Sequence, residues 1–306
     1  MSDQRPFDVA LLTDSRYVNR EPGNRYVENI FADDDLLLTS LEAEGLKCCR
    51  ISWDHPDFDW TTVKFAIFRT TWDYFERIDE FMNWFAETRE KTNFLNHPDL
   101  ITWNIDKSYL WDLAYHGIDI PQGIYISKGS DTTLEKICKA SAWKEWVLKP
   151  AVSGAAWNTY YFKSDGIAEL GPVFLKLLQT ENMILQEFLP SVAENGEISL
   201  MMFGGKYSHA VLKKVKPGDF RVQDDFGGTL HDYEPNQEEI NLAEHAMSVC
   251  GHIPMYARVD IVWDKEGRPC ISELELIEPE LWFRRHPESA ANLANLIKRE
   301  AESVYC

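Results

Sequence analysis

Long apolar runs are missing from this chain of 306 residues: no stretch approaches the ~20 residues that a membrane helix needs. Met1 to Ala10 also lacks an apolar core behind a basic flank, so a soluble, cytoplasmic protein is expected. Cysteine is scarce. Its six copies (Cys48, Cys49, Cys138, Cys250, Cys270, Cys306) show no CxxC spacing, and a chain this long needs no disulfide to hold a core. There is no HExxH, and Cys250, His252 and Cys270 do not make a zinc-ligand pattern. Positive charge is short as well, with 31 Lys+Arg against 50 Asp+Glu and a net charge of -19. Such a chain gains nothing from counterion release on nucleic acid, and an anionic membrane would repel it, so neither is expected as a partner. A phosphate-bearing ligand would need a locally basic pocket or a divalent metal. Repeats, low-complexity tracts and Pro/Gly-rich linkers are absent too.

What remains is ample apolar material, 44% of residues, enough for roughly two domains by length. Residues 7–12 (FDVALL) read as a buried strand feeding a loop. Asp33 to Asp35 are expected to open a helix that Gly45 stops, with carboxylates at its positive end. Strands are expected at 46–51, 63–69 and 93–95, with a helix carrying Ile78, Phe81, Met82 and Phe85 on one face. This order makes a small α/β domain over residues 1–97. In that class ligands gather beyond the carboxyl ends of parallel strands, where the loop Arg69, Trp72, Asp73, Tyr74 would offer a small carboxylate-bearing substrate one arginine and two aromatics. Residues 98–186, with a helix from about Asp106, read as a compact α+β module. Strands dominate 187–306, at 197–203, 206–214, 256–263 and 270–277.

Charge is distributed unevenly. Residues 260–280 hold seven Asp/Glu against Lys265 and Arg268, whereas 206–223 hold five Lys/Arg against Asp219 alone. Alternation sets Glu273 and Glu275 on one face of a strand, and a short turn would bring Asp260 opposite Glu273. Carboxylates that close need a cation, and so few hard oxygen ligands suit Mg²⁺ arriving with a polyphosphate. Lys149 ends an apolar strand before a loop of small residues containing Ser153 and Gly154, able to turn backbone N–H groups toward phosphate. Lys107 stands at a helix start. The connector Gln186-Glu187-Phe188-Leu189-Pro190 could clamp an adenine, and Gly227-Gly228 could bring backbone close to a ligand. Arg284, after the acidic strand, is a further substrate candidate.

The order Asn104-Ile-Asp-Lys107, Val-Leu-Lys149-Pro, Gln186-Glu-Phe-Leu-Pro, Gly196-Glu197, Arg221, Arg258-Val-Asp260 and Glu273-Leu-Glu275 resembles the ATP-grasp superfamily, glutathione-synthetase type. The stretch Glu273 to Leu281 resembles a narrower branch that includes the cyclo-ligase of D-cycloserine synthesis. The resemblance implies an ATP-grasp fold after a Rossmann-like α/β domain, with 98–186 as its small, lid-forming subdomain and 187–306 as its metal-bearing one. It implies an ATP-dependent ligase joining a carboxylate to an amine through an acyl phosphate, on a small amino acid or peptide. Lys107 and Lys149, with Ser153 and Gly154, would hold ATP phosphates; Glu187, Phe188 and Leu189 would frame the adenine, and Glu197 the ribose. Lys213 and Arg221 would steady the transferring phosphoryl group, with Asp260, Glu273 and Glu275 on Mg²⁺ and Gly227 and Gly228 donating to the oxyanion. Two departures stand out: Ala155-Ala156 where relatives often carry glycine, and Glu275 where the pattern has Asn. Homodimers are common in the superfamily, and the competing reading is a non-catalytic nucleotide-binding regulator.

Overall fold

The computed structural model describes residues 5–21, 24–216 and 228–303. The first sheet comprises β1 (Phe7–Thr13), β2 (Cys48–Ser52), β3 (Val63–Thr70) and β4 (Asn93–Phe94), with α1 (Arg25–Ala43) and α2 (Ile78–Thr88) between them. All its pairings are parallel, in the order β2-β1-β3-β4. Its central strand is buried on both faces, which is why 7–12 reads as a continuous apolar run. Two short helices follow, α3 (Pro98–Asn104) and α4 (Tyr109–Tyr115).

An antiparallel sheet ordered β5-β8-β6-β7 comes next, from β5 (Gly123–Ile126), β6 (Glu145–Pro150), β7 (Tyr160–Lys163) and β8 (Met183–Glu187), backed by α5 (Leu134–Ser141) and α6 (Ile167–Leu177). A one-turn helix, α7 (Ser191–Glu194), leads to the largest sheet. It runs β11-β10-β9-β12-β13, from β9 (Glu197–Phe203), β10 (Lys206–Lys214), β11 (Thr229–Asp232), β12 (Tyr256–Trp263) and β13 (Pro269–Glu275). Helix α8 (Gln237–Val249) packs on it, and α9 (Pro287–Ser303) closes the chain against α1.

Two sequence expectations are corrected. Helix α1 starts two turns before Asp33, at an Asn24 cap that accepts from the Tyr26 and Val27 amides. Asp33 and Asp34 lie mid-helix and buried because they serve distant arginines: Asp33 pairs with Arg284, and Asp34 with Arg50 at 2.7 Å and Arg69 at 3.2 Å. The helix expected from Asp106 is α4, and α3 before it was not anticipated. Residues 98–118, expected in the lid, pack on the five-stranded sheet, where Leu100, Tyr109, Leu110, Leu113 and Ile118 share a core with Ile198, Leu200 and Val259. Strand β11 and α7 have too few apolar residues to announce themselves.

That packing solves an edge problem. Strand β13 is an outer strand, and an open edge buried without partners would be costly. Its backbone bonds to side chains instead. The Asn104 amide donates to the Leu274 carbonyl at 2.8 Å and accepts from the Leu276 N–H at 2.9 Å. The Tyr109 hydroxyl accepts from the Leu274 N–H at 3.0 Å, and the Ile271 N–H reaches the Asp119 carbonyl at 2.8 Å. Asn96, just past β4, donates to the Tyr256 and Leu276 carbonyls and accepts from the Met255 N–H at 2.8 Å, tying the first sheet to the largest. Asn96→Ala would strand two buried carbonyls and one N–H, so a loss of about 2–4 kcal/mol is expected from denaturant unfolding. Asn93→Ala, at an exposed position with one bond to the Lys64 carbonyl, should stay within ~0.5 kcal/mol.

Candidate active site

The floor of the site is built by cross-strand register. Strands β12 and β13 pair Asp260 with Glu273 and Arg258 with Glu275, while β9 and β10 pair Glu197 with Lys213. Alternation turns all six toward one side, leaving Val259, Leu274 and Leu276 in the core behind. Asp260 is engaged on both oxygens. Arg258 reaches it through Nε at 2.9 Å and Nη2 at 2.8 Å, Lys213 Nζ stands at 3.1 Å, and the Ser199 hydroxyl donates to it. Burial alone would raise this carboxyl, but Arg258 and Lys213 hold it well below its ordinary range. Arg258 Nη2 also binds Glu275 at 2.6 Å. Lys213 also pairs with Glu197, and Ser272 donates to Glu197 at 3.1 Å.

Glu275 differs from its neighbours. Burial, partly offset by Arg258 and reinforced by Glu273 and Asp260, pushes its carboxyl up to about 8. Carboxylate oxygens of Asp260, Glu273 and Glu275 all lie within 4.8 Å of one another. This donor set suits a hard divalent cation, which would favour the ionised form of Glu275 against the burial and neighbouring carboxylates that raise it. Each of the three also has a cationic partner, Asp260 two of them and Glu273 and Glu275 one each, with which a metal ion would compete.

Two lysines face this floor. Lys107 Nζ donates to the Ser153 carbonyl at 2.5 Å and pairs with Glu273 at 3.1 Å. Lys149 makes no hydrogen bond or ion pair among the described residues; burial pulls its ammonium below the ordinary lysine range, although Glu273 pulls it back up. The loop after Lys149 is sharply bent. Ala155, Ala156 and Asn158 have φ of 48°, 56° and 50°, in the left-handed region that favours glycine, so the two alanines adopt the conformation that glycines would supply. Gly154 is required by space, since a Cβ there would come within 2.7 Å of the Phe75 ring. Gly196 is required more strictly: φ is +90° and a Cβ would lie 2.3 Å from the Lys213 carbonyl, so only glycine lets β9 begin where Glu197 meets Lys213.

One cleft of about 430 Å³ gathers Lys107, Lys149, Ser153, Gly154, Glu187, Phe188, Leu189, Glu197, Lys213, Asp260, Glu273, Glu275 and Trp72. Phe188 packs on Tyr161 with centroids 4.5 Å apart, and Glu187 is held by Lys265. Other proposed substrate contacts go elsewhere. Arg69 is 2% exposed and committed to Asp34 and the Pro279 carbonyl, so it holds the segment after β13. Asp73 accepts from the Trp53 indole at 2.8 Å and pairs with Arg77, and Tyr74 is buried against Phe75 and Phe81. Arg284 is taken by Asp33 and by Glu280 at 2.7 Å. Gly228 precedes β11 and does not line the cleft; Arg221 and Gly227 lie outside the described residues.

Arg258 and Glu278, which the sequence left without a role, also line it, as does Trp282, which the sequence offered as a substrate contact. Arg258 carries the floor's ion pairs, and its place two residues before Asp260 was the available signal. Glu278 and Trp282 follow β13 in irregular chain that no periodicity predicts. Burial, reinforced by Glu275, pushes the Glu278 carboxyl well above its ordinary range. Trp282 has a left-handed φ of 46° and a buried indole N–H with no hydrogen-bond partner among the described residues.

Known proteins share this architecture. Residues 9–96 match the family model of the N-terminal domain of D-cycloserine synthetase DcsG. The cycloserine biosynthesis protein DcsG of Streptomyces lavendulae is 28% identical over 279 residues, 85% of this chain and 91% of that protein. The crystal structure of D-cycloserine synthetase DcsG superposes with a TM-score of 0.84 at 25% identity, covering 96% of this chain and 99% of that one. The ATP-grasp ligase PsnB, solved with a precursor variant, Mg and ADP, gives 0.64 at 13% identity over 97% and 100% of the two chains, a likeness of fold. Three sheets in this order, a lysine-bearing loop facing a carboxylate floor, and a likeness to DcsG over nearly the whole chain agree with the order of motifs in the sequence: the chain has the ATP-grasp fold.

Proposed function

We propose that the protein is an ATP-dependent ligase that joins a substrate carboxylate to an amine through an acyl phosphate, releasing ADP and phosphate, with small amino acids or peptides as substrates. The observation that carries this reading is that one cleft holds two lysines, one of them without an ion-pair partner among the described residues, beside a bent loop of small residues and across from three convergent carboxylates. The likeness to DcsG, by name a D-cycloserine synthetase, supports the ligase class and amino-acid-sized substrates.

On this reading Lys149 and Lys107, with backbone from Ser153 to Ala156, would hold the phosphates, and Glu187, Phe188 and Leu189 would frame the adenine, with Glu197 at the ribose. Glu273 and Glu275, joined by Asp260, would hold Mg²⁺, which supplies neutralisation of phosphate charge during phosphoryl transfer. A substrate carboxylate oxygen bonds to the γ-phosphorus as the bond to the β-phosphate oxygen breaks, giving ADP and the acyl phosphate. An uncharged amine then adds to the acyl carbon, phosphate leaves, and the amine proton is lost. The protein's part is positioning, compensation of charge and exclusion of water. Lys213 would contribute from the floor, where Glu197 and Asp260 fix its ammonium. Arg221, Gly227 and Gly228 remain proposed partners of the transferring groups.

The direct test is ADP release from MgATP across pairs of amino acids and short peptides; no ADP with any pair, despite nucleotide binding, would favour a non-catalytic regulator. With competent substrates, Lys149→Ala should lower ADP release by about 10²-fold or more, the scale of one lost transition-state contact. Its thermal midpoint should not fall, because removing a partly buried ammonium that has no ion-pair partner among the described residues relieves desolvation. A wild-type rate in that variant would overturn the phosphate role. Mg²⁺ binding should also release a proton at pH 7. The empty site keeps Glu275 protonated up to about 8, so affinity should strengthen as pH rises toward that value and weaken below it. Calorimetry in buffers of different ionisation heat measures this release, and Glu275→Gln should abolish it.

A further inference from the structure

Metal-binding side chains also converge away from the cleft, beside a second cavity that shares no lining residue with it. His97 caps α3, Asp99 lies in the first turn of that helix, and His252 sits in the bend after α8. The two imidazoles stack, with centroids 3.7 Å apart and planes 18° from parallel. Asp99 divides its oxygens between two tasks. Oδ1 faces Arg89 Nη2 at 3.5 Å, whereas Oδ2 stands 3.6 Å from His97 Nδ1 and 3.8 Å from His252 Nε2.

The contact at His97 is short of a positive charge. Its Nδ1 accepts from the Asp99 N–H at 3.2 Å, so it presents a lone pair and no proton to the carboxylate beside it. Burial and the neighbouring His252 hold the His97 ring below the ordinary histidine range, which favours the neutral form that ligates metals. The donor types select the cation: two imidazole nitrogens with one carboxylate suit zinc and its transition-metal neighbours, whereas Mg²⁺ and Ca²⁺ prefer oxygen.

Distances agree with that choice. On a tetrahedral zinc with bonds of about 2.0–2.1 Å, ligand atoms stand about 3.4 Å apart, close to the separations of 3.6 Å and 3.8 Å from Oδ2. One ligand atom from each residue lies within 4.8 Å of the other two. All three residues are exposed, so the stacked rings are free to turn about χ2 and aim their lone pairs at one ion. Arg89 on Oδ1 orients the carboxylate from behind. The cavity, about 320 Å³ and lined by Asp99, His252 and Trp103 among others, has room for a water as the fourth ligand.

We propose that His97, Asp99 and His252 bind one divalent transition-metal ion of the zinc class, completed by water, and so tie the start of α3 to the end of α8. The site stands independently of the ligase reading. It separates cations by ligand chemistry, with nitrogen donors here and oxygen donors on the sheet floor. No local motif announces it, because its ligands come from segments far apart in sequence.

The test is calorimetry with Zn²⁺ on the full chain, free of any affinity tag, stripped with a chelator and kept in excess Mg²⁺ to occupy the floor. One Zn²⁺ should bind per molecule, and saturation should raise the thermal midpoint. His252→Ala, and His97→Asn, which keeps a capping acceptor, should each weaken zinc binding by about ten-fold or more and erase the thermal gain, since even an outer-shell partner is worth that much. His245→Ala, an exposed histidine on α8, should change neither. Absence of zinc binding, or wild-type affinity in both His97→Asn and His252→Ala, would overturn the proposal. So would loss of zinc binding in Glu275→Gln alone, which would place the ion on the floor.

Discussion

The cleft depends on one electrostatic constraint: carboxylates and cations set side by side on a sheet floor must be mutually compensated, or the sheet would not bury them. Glu197, Asp260, Glu273 and Glu275 answer Lys213, Arg258 and Lys107 through direct ion pairs. Cross-strand register sets the pairs, and a slip of one residue would turn the charges into the hydrophobic core. What is left over matters most. Lys149 has no ion-pair partner among the described residues, and burial favours the protonated form of Glu275 despite Arg258, so one positive and one latent negative site face the cavity. A phosphate and a divalent cation are the complements of those two remainders.

The register is in turn secured from the far edge of β13. Asn104, Tyr109 and the Asp119 carbonyl act as a surrogate strand, and Asn96 extends that seam to the first sheet. Apolar residues of α3 and α4 fill the core beneath the same strand. Residues 96–119 therefore brace the carboxylate floor from behind, with Lys107 projecting from this brace to Glu273.

Legibility in the sequence followed the range of the interaction. The facing of Asp260 and Glu273 was readable because strand alternation and a short turn are local. The order of motifs was readable because each is a few contiguous residues bearing chemistry that the fold then gathers. Asp33 and Arg69 were misread because their partners stand far away in sequence: Asp33 was assigned to a helix dipole and Arg69 to a ligand, whereas each satisfies a buried group elsewhere. The loop 150–159 lies between. Its small residues announced a bend, but that two alanines would occupy the left-handed region could not be read from alanine. Glu278 and Trp282 sit in irregular chain, where no period indicates which side chain faces the cavity.

The seam between the first sheet and the end of the chain bears on the order of folding. Asp33, Arg69 and Asn96 are buried polar groups of the first hundred residues, and their partners are Arg284, the Pro279 carbonyl, and backbone between Met255 and Leu276. As the chain leaves the ribosome, the first sheet can form its parallel pairings early but must keep that face hydrated until the last two strands and the segment after them emerge. Closing loops of 160 to 250 residues costs only slowly growing entropy, so the late docking is favourable once those partners exist. Synthesis thus completes the catalytic floor and the N-terminal interface in the same late event, which protects the half-made chain from presenting a charged, binding-competent cleft.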